Sequence, residues 1–333
     1  MKIAIRADGG SEIGMGHIMR TLVLAKELAK TNDVFYISRG DNPLSSKYKS
    51  GIDKVKSQGF NVVIINEHKF IKELCEVEAD CLVTDSYDVS EEYFNTTKKN
   101  FKVTGYIDDM NLYYFNVDFI INQNIGAEEY RYKVNKGTKL FLGSNYTMLR
   151  EEFRNLQYKD INKKISDIMI TVGGADPNGI TNKICDYVKD LEFKFHIVIG
   201  PSFKEENIEK LVRLKNTRNT INLYFNVNMI EIMNKCDIAI SACGSTLYEL
   251  AACSIPTIGI IIADNQETVA YKMHEKGLIY NLGWFTVLTK DKILDNIKKI
   301  CKLDNRELMI KKQKIVNKNG VKKLDMGIKE LIK

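Results

Sequence analysis

The stretch "KIAIRADGGSEIGMGHIMRTLVLAKEL", residues 2–28, predicts a β-strand, a glycine-rich turn and an α-helix in direct succession. Apolar residues recur at helical spacing over residues 18–28, which indicates one buried helix face. Gly14 and Gly16 let the backbone approach an anion closely, and a helix N-terminus offers N–H groups to bind it. His17 stands in the first helical turn, where the positive end of the helix dipole disfavours imidazolium. We therefore expect a neutral His17 that can act as a base.

This turn does not fit a dinucleotide site. Met19 stands where the G-x-G-x-x-G pattern requires its third glycine. The second predicted strand ends in Ser38 and Arg39, whereas a dinucleotide site needs an acidic residue there to bind the ribose. The sequence therefore argues against NAD binding, and it predicts no cofactor.

Short β-rich runs alternate with helical patterns along most of the chain, which predicts an α/β fold of parallel sheets with crossover helices. The runs in the first half are "KIAIRAD", "DVFYIS", "VVII", "CLVTD", "KVTGYID", "VDFIINQN" and "KLFLG"; those in the second are "DIMITVGGAD", "KFHIVIG", "INLYFNV", "DIAISAC" and "PTIGIII". A polar stretch over residues 146–167 interrupts the pattern. We expect two Rossmann-like βα domains, residues 1–158 and 159–333, with a cleft between them and ligands beyond the carboxyl ends of the strands.

Composition excludes several classes of function. The seven cysteines form no CxxC pair, so we expect buried thiols in a reducing cytoplasm and no zinc site. No apolar run approaches the roughly 18 residues of a transmembrane helix, and the N-terminus carries no signal-peptide pattern. The net charge of +6 comes from the basic segment 290–333, which contains no aromatic residue. We expect a solvated helical face there, with neither nucleic-acid binding nor stable membrane insertion.

Three motifs in the second half follow predicted strands: "ACGSTLYELA", "TVGGADP" and "ADNQETV". In "ACGSTLYELA", Ser245 is a candidate N-cap beside Thr246, and Glu249 lies one turn further on. The carboxylate of Glu249 suits either the two hydroxyls of a ribose or the start of its own helix. Gly173 and Gly174 in "TVGGADP" permit close backbone approach, or form a simple turn.

Further candidates are Asn265 and Gln266 in "ADNQETV", whose amides suit sugar or phosphate groups; Asn265 alternatively caps a helix. Asp85 and Tyr87 follow the run "CLV" and are expected at a sheet edge, facing a ligand, although Asp85 alternatively caps the next helix. The adjacent pair at residues 108–109 is expected to form caps or a turn rather than a metal site.

Several motifs together resemble one family. "RADGGSEIGMGHIMRTLVLA", "TDSYDVSEEY", "YIDDM", "DFIINQNIGAEEY", "GSNYTMLREEF", "TVGGADPNGIT", "SACGSTLYELAACSIPTIGI" and "ADNQ" occur in this order. They are similar to those of the PseG-type nucleotide-sugar hydrolases of pseudaminic acid biosynthesis, a family with spore-coat polysaccharide relatives and a likeness to two-domain GT-B glycosyltransferases such as MurG. The match covers roughly residues 1–280.

This resemblance implies a GT-B-like fold and a metal-independent inverting hydrolase of a UDP-linked 2,4-diacetamido-2,4,6-trideoxy sugar. Cleavage of the C–O bond would release UDP and the free sugar. The resemblance favours the ribose role for Glu249 and places Tyr87 near the sugar. UDP is already a good leaving group, so one base, His17, is enough to activate water. The alternatives are a GT-B glycosyltransferase with a UDP-sugar donor and a binding protein without chemistry. The oligomeric state is not readable.

Overall fold

The computed structural model describes residues 1–41, 43–156, 160–225 and 227–332. The chain forms two compact units. The first contains Met1–Arg150 together with Asn319–Lys333, and the second contains Glu151–Lys318.

The first unit is built on a seven-stranded sheet in which every neighbouring pair is parallel, in the order β3-β2-β1-β4-β5-β7-β9. The strands are β1 (Lys2–Ala7), β2 (Asp33–Gly40), β3 (Val62–Asn66), β4 (Cys81–Asp85), β5 (Val103–Ile107), β7 (Phe119–Asn122) and β9 (Lys139–Leu142), while β6 (Tyr114–Phe115) and β8 (Lys133–Val134) form a separate pair. All residues of β4, β5 and β7 are buried, as expected for strands covered on both faces.

Four helices connect these strands: α1 (Gly16–Leu28), α2 (Ser46–Ser57), α3 (Phe70–Cys75) and α4 (Glu91–Asn100). Helix α1 begins where the sequence predicts. Its face with Ile18, Leu24 and Leu28 is fully buried in the core beside β1.

The second unit contains a six-stranded sheet with the order β12-β11-β10-β13-β14-β15, again parallel at every pair. Its strands are β10 (Asp167–Thr171), β11 (Lys194–Ile199), β12 (Ile221–Phe225), β13 (Ile238–Ala242), β14 (Thr257–Ile261) and β15 (Tyr280–Trp284). Its helices are α5 (Ile180–Val188), α6 (Glu205–Thr217), α7 (Met229–Lys235), α8 (Thr246–Ala252), α9 (Glu267–Glu275), α10 (Lys290–Ile300) and α11 (Leu303–Gln313).

The last helix, α12 (Gly320–Ile332), belongs to the first unit. Val321, Leu324 and Ile328 are fully buried in the same core as α1. A Cβ at Gly320 would lie 2.3 Å from the backbone nitrogen of Thr147, so glycine allows this close approach. The sequence assigned this helix to the second domain, and the structure differs because the apolar face of α12 completes the first core. The boundary expected after residue 158 lies outside the described residues.

All twelve predicted strands are confirmed. The sequence missed three strands. Strands β6 and β8 have only two residues each, and β15 is half-buried with a glycine near its end. All seven cysteines are in the thiol form rather than in disulfides, and five of them are buried. Among the described residues, every helix is too short or too polar to cross a membrane.

Candidate functional site

In parallel α/β sheets, ligands bind at the point where the strand order changes direction. In the first unit the order changes direction between β1 and β4, and in the second between β10 and β13. The loops that leave neighbouring strands at such a point run to opposite faces of the sheet and open a crevice at the carboxyl edge. The predicted site residues cluster at these two places.

The loop between β1 and α1 packs tightly on one side and is open on the other. A Cβ at Gly10 would lie 1.9 Å from the carbonyl oxygen of Lys47 on α2, so this face of the loop is in close contact. Gly10 and Gly14 exchange backbone hydrogen bonds of 3.1 and 2.9 Å. Gly14 has φ +80°, and added Cβ atoms at Gly14 and Gly16 would meet nothing within 4 Å. The predicted open backbone at the start of α1 is therefore present.

His17 is held by a buried carboxylate. Its Nδ1 lies 2.6 Å from Oδ1 of Asp85, and only 7% of His17 is exposed. A carboxylate at this distance accepts a hydrogen bond from Nδ1–H, which leaves a lone pair on Nε2. Nε2 makes no hydrogen bond to any residue that the structure describes. This tautomer is the one a general base requires.

Asp85 ends β4 and is fully buried. The pairing of β1 with β4 sets it beside Ala7, next to the glycine turn. Burial alone would raise the pKa of this carboxyl, but Arg20 and His17 outweigh burial and lower the pKa to about 2. The sequence predicts that Asp85 faces a ligand or caps the next helix. The structure instead places it beneath His17, because a buried carboxylate needs partners of opposite charge.

Arg20 completes the network and was missed from sequence. Its Nε and Nη2 donate to the two oxygens of Asp85 at 2.6 Å each, and Nη1 donates to Oδ2 of Asp109 at 3.0 Å. Burial alone would lower the pKa of the guanidinium, but the two carboxylates raise it well above its usual value. The i,i+3 spacing from His17 was the available signal, because it places both side chains on one helix face.

Tyr87 covers the edge of this network. Its ring meets His17 edge-to-face at 4.7 Å between centroids, and its hydroxyl donates to Oδ2 of Asp109 at 2.8 Å. Burial and the neighbouring Asp109 raise the pKa of the phenol above its usual value, so it stays a neutral donor. With 44% of its surface exposed, Tyr87 is accessible to a ligand.

The adjacent carboxylates of Asp108 and Asp109 serve different partners. Asp108 accepts from the backbone N–H of Asn111 and from the Tyr132 hydroxyl at 2.7 Å. This is the turn-forming role that the sequence predicted. Asp109 instead joins the Arg20 network. Within the described ranges, no three His, Cys, Asp or Glu side chains are placed to hold a metal ion.

In the second unit, Gly173 and Gly174 follow β10. Gly173 has φ +96°, and added Cβ atoms at both glycines would meet nothing within 4 Å. On the other side, a Cβ at Gly200 would lie 2.4 Å from the carbonyl oxygens of both glycines. Asp176 accepts from two N–H groups at the start of α5, at 2.8 and 2.7 Å. The contact with Gly200 and the hydrogen bonds of Asp176 therefore fix this loop, while the space next to Gly173 and Gly174 is open.

The remaining predicted residues follow β13 and β14, which are neighbours in the sheet. Ser245 occupies the N-cap position of α8, as predicted, but its hydroxyl makes no capping bond within the described chain. Thr246 begins α8 and Glu249 lies in its first turn. Asn265 lies in a short 3-10 helix before α9, whose N-cap is Gln266.

Gln266 also reaches back toward the β13 turn. Its Nε2 is 3.7 Å from the position of a Cβ at Gly244, and its Oε1 accepts from the backbone of Ile262 at 3.1 Å. The structure therefore brings the second-unit candidates to one sheet edge, and His17, Asp85 and Tyr87 to one edge of the other sheet.

Comparisons with known proteins agree with this architecture. Residues 154–326 match the model of the glycosyltransferase family 28 C-terminal domain. The crystal structure of Acinetobacter baumannii MurG covers 99% of this chain and 99% of its own, with a TM-score of 0.69 and 12% identity. The fold is therefore that of the GT-B-like proteins, as the sequence predicted.

Two curated relatives match most of the chain. The uncharacterized protein MJ1062 of Methanocaldococcus jannaschii is 30% identical over 277 residues, which are 78% of this chain and 55% of that protein. The UDP-2,4-diacetamido-2,4,6-trideoxy-beta-L-altropyranose hydrolase of Campylobacter jejuni is 25% identical over 280 residues, 83% of this chain and 97% of the relative. The chain thus spans about half of the first relative and nearly all of the second.

Proposed function

The chain belongs to the family of the glycosyltransferase family 28 C-terminal domain, and from this premise we propose that it hydrolyses a UDP-linked sugar. The substrate class is a UDP-linked 2,4-diacetamido-2,4,6-trideoxy sugar, by likeness to the Campylobacter hydrolase. The observation that carries the proposal is the contact of His17 Nδ1 with Asp85 at 2.6 Å, which leaves Nε2 without a hydrogen-bond partner among the described residues.

His17 acts as the general base in this mechanism. Nε2 takes a proton from a water molecule while the water oxygen forms a bond to the anomeric carbon. The bond between that carbon and the UDP oxygen breaks, and its electron pair leaves with UDP. Asp85 stabilises the imidazolium that results, since its carboxylate accepts from Nδ1. One displacement inverts the anomeric configuration.

No acid is needed for the leaving group, because a nucleoside diphosphate leaves as an anion at neutral pH. A pair of carboxylates of the glycosidase kind is therefore unnecessary. The N–H groups at the start of α1, which begins at Gly16, are suited to negative charge that develops on the phosphate. Tyr87, half-exposed beside His17, is assigned to the sugar.

The nucleotide is assigned to the second unit. Gly173 and Gly174 offer open backbone to a diphosphate, with Ser245 and Thr246 at the neighbouring turn. Glu249 is assigned to the ribose hydroxyls, and the amides of the 265–266 pair to phosphate or sugar oxygens.

Hydrolysis in ¹⁸O-labelled water tests the reaction and the bond that breaks. The protein is incubated with UDP-2,4-diacetamido-2,4,6-trideoxy-β-L-altropyranose, and both products are weighed by mass spectrometry. Label in the sugar, with UDP unlabelled, is expected. Label in UDP would mean attack at phosphorus and a wrong assignment of His17. The matched control is His68→Ala, which removes an exposed histidine.

A glycosyltransferase is the second candidate, favoured by the family model and by the likeness to MurG. In a transferase an acceptor hydroxyl would replace water at His17. UDP release that begins only after an acceptor is added would decide for it.

A further inference from the structure

The loop of residues 86–90 connects β4 to α4 and carries Tyr87, the residue assigned above to the sugar. On one side of Tyr87, the carbonyl oxygen of Ser86 accepts a hydrogen bond of 2.9 Å from the buried hydroxyl of Tyr106. On the other side, the backbone N–H of Asp88 donates to the Ser86 hydroxyl at 3.1 Å. Specific contacts therefore hold the residues that flank Tyr87.

The side chain of Asp88 forms an ion pair with Arg39 at the end of β2. Nη1 of Arg39 donates to Oδ2 of Asp88. The side chain of Asp88 is 67% exposed, whereas that of Arg39 is only 10% exposed. A dinucleotide site would carry an acidic residue at this strand end. Here the strand end carries a cation that reaches the loop after β4.

Arg39 is held in place by contacts that do not involve Asp88. Its backbone N–H and its Nε donate to the two carboxylate oxygens of Asp8, at 2.8 and 2.9 Å. Asp8 is buried, and its Oδ2 also lies 3.1 Å from Nη2 of the fully buried Arg6. The guanidinium carbon of Arg39 lies 5.7 Å from the centre of the Phe70 ring. The Arg39 side chain is thus fixed independently of the loop.

This arrangement makes the ion pair a stronger restraint than an ordinary surface pair. Exposed ion pairs contribute little to stability, because two long side chains lose conformational freedom when they meet. Here Arg39, the longer partner, is already ordered by Asp8, and Asp88 has a short side chain. The formation of the pair therefore costs little further entropy, and its energy is available to order residues 86–90.

We propose that Arg39 is a positioning residue that fixes, through Asp88, the loop that presents Tyr87 to the sugar. This inference rests on the proposed function, which assigns Tyr87 to the sugar. The Tyr87 hydroxyl is also held by Asp109 at 2.8 Å, so loss of the ion pair should loosen the loop backbone without releasing the phenol completely. The expected consequence is weaker binding of the sugar, with the reacting groups unchanged.

The competing role for Arg39 is direct binding of a substrate phosphate. Nε and Nη1 of Arg39 each already donate to a carboxylate oxygen, which argues against this role. The two roles also predict different results when Asp88 loses its charge. Anion binding by Arg39 would become stronger, whereas sugar binding through the loop would become weaker.

Asp88→Asn is the first test, because Asp88 is exposed and its replacement leaves the contact between Arg39 and Asp8 in place. We expect KM for UDP-2,4-diacetamido-2,4,6-trideoxy-β-L-altropyranose to rise by about 3- to 5-fold, as loss of a well-ordered exposed ion pair predicts. The value of kcat should stay near that of the natural protein. Asp88→Glu keeps a carboxylate for Arg39 and should retain the natural KM. The matched control is Asp53→Asn, which removes the exposed carboxylate of another ion pair in the first unit and should change neither constant.

Combination with Tyr87→Ala shows whether the ion pair acts through Tyr87. In that background Asp88→Asn should cause no further rise in KM, because the side chain that the loop positions is gone. An equal rise in both backgrounds would overturn the inference.

Arg39→Met should raise KM as Asp88→Asn does and should leave the affinity for UDP, measured by calorimetry, unchanged. A lower UDP affinity in Arg39→Met together with a higher one in Asp88→Asn would assign Arg39 to the phosphate and would also overturn the inference. Should Arg39→Met fail to fold, the Asp88 variants decide.

Hydrogen exchange followed by mass spectrometry gives a readout that requires no substrate. The amides of residues 86–90 should exchange faster in Asp88→Asn and Arg39→Met than in the natural protein, and at the natural rate in Asp88→Glu and Asp53→Asn. If the protein hydrolyses no UDP-sugar but exchange changes as stated, the proposed function falls and the positioning of this loop by Arg39 stands. If hydrolysis is found and KM does not change in Asp88→Asn, the inference falls alone.

Discussion

The turn after β1 and the turn after β13 both connect a strand to a helix, and they differ in the side chains that lie next to them. Each follows a central parallel strand, contains glycine and leads into a helix. Beneath the first lies a buried network of charges with His17 at its upper edge. At the second lie the polar groups of Ser245, Thr246 and Glu249 on a helix of seven residues.

On the proposed function, this difference assigns the chemistry to the first turn and nucleotide binding to the second. Proton transfer requires a base whose charge state is fixed by buried partners, and such partners cost desolvation that only a dense network offsets. Holding a nucleotide requires open donors and acceptors that do not change protonation state. The comparison therefore predicts that substitutions in the first unit lower kcat and those in the second lower affinity.

The largest expected effect is that of His17→Ala. Loss of a general base should lower kcat by about 10²–10⁴-fold, with little change in the affinity for UDP measured by calorimetry. Turnover within a few-fold of that of the natural protein would show that His17 is not the general base. His68→Ala, at an exposed position, should leave both quantities unchanged.

The second effect is on acid stability. The pKa of Asp85 is about 2 in the folded protein and close to its ordinary value of about 3.9 in the unfolded chain. Its ionisation therefore stabilises the fold fully above about pH 4, and this contribution is lost as pH falls toward 2. We expect a loss of about 2 kcal/mol over that window in the natural protein, and a smaller loss in Asp85→Asn.

Urea unfolding at several pH values measures how the free energy of unfolding depends on pH. Asp264→Asn, at an exposed position of the second unit, is the matched control and should show the natural acid dependence. An identical dependence in Asp85→Asn would mean that Asp85 is not the group responsible.

Glu249→Gln should have a smaller effect, confined to the nucleotide. We expect UDP affinity to fall by about 10-fold, the cost of about one charge-assisted hydrogen bond, while kcat at saturating substrate stays near that of the natural protein. Glu206→Gln, on the exposed first turn of α6, should change neither. Unchanged UDP affinity with a lower melting temperature would favour the helix-stabilising role of Glu249.

The strands and the first turn were predictable because local pattern determines them. Strands buried on both faces carry continuous apolar runs, so "CLVTD" and "DIAISAC" are recognisable without any partner. Strand β15 was not, since Tyr280 and Asn281 are half-buried and polar. The C-terminal helix α12 was assigned to the wrong unit, because its apolar face does not reveal which core it joins.

The network beneath His17 was only partly predictable for the same reason. His17 and Tyr87 follow strands and were found from that position. The partnership of Arg20 with Asp109 joins residues 89 positions apart, which no local pattern encodes. Asp85 was identified as a candidate residue, but its buried contact with His17 was not predicted, since the sequence does not show that the two side chains meet.

The last prediction is that the removal of metal ions has no effect. It tests whether the charged side chains of the first unit are sufficient for activity without a metal ion. A metal site would need both carboxylates of the 108–109 pair to face one point. Asp108 is instead engaged by Asn111 and Tyr132, and Asp109 by Arg20. The proposed reaction also asks for no Lewis acid, because UDP leaves without one. We therefore expect full activity after exhaustive dialysis against EDTA, and no gain when Mg²⁺ or Mn²⁺ is added. Activity that disappears with EDTA and returns with Mg²⁺ would make Asp108 and Asp109 ligands and would end the proposed separation of a charge-driven first unit from a binding second unit.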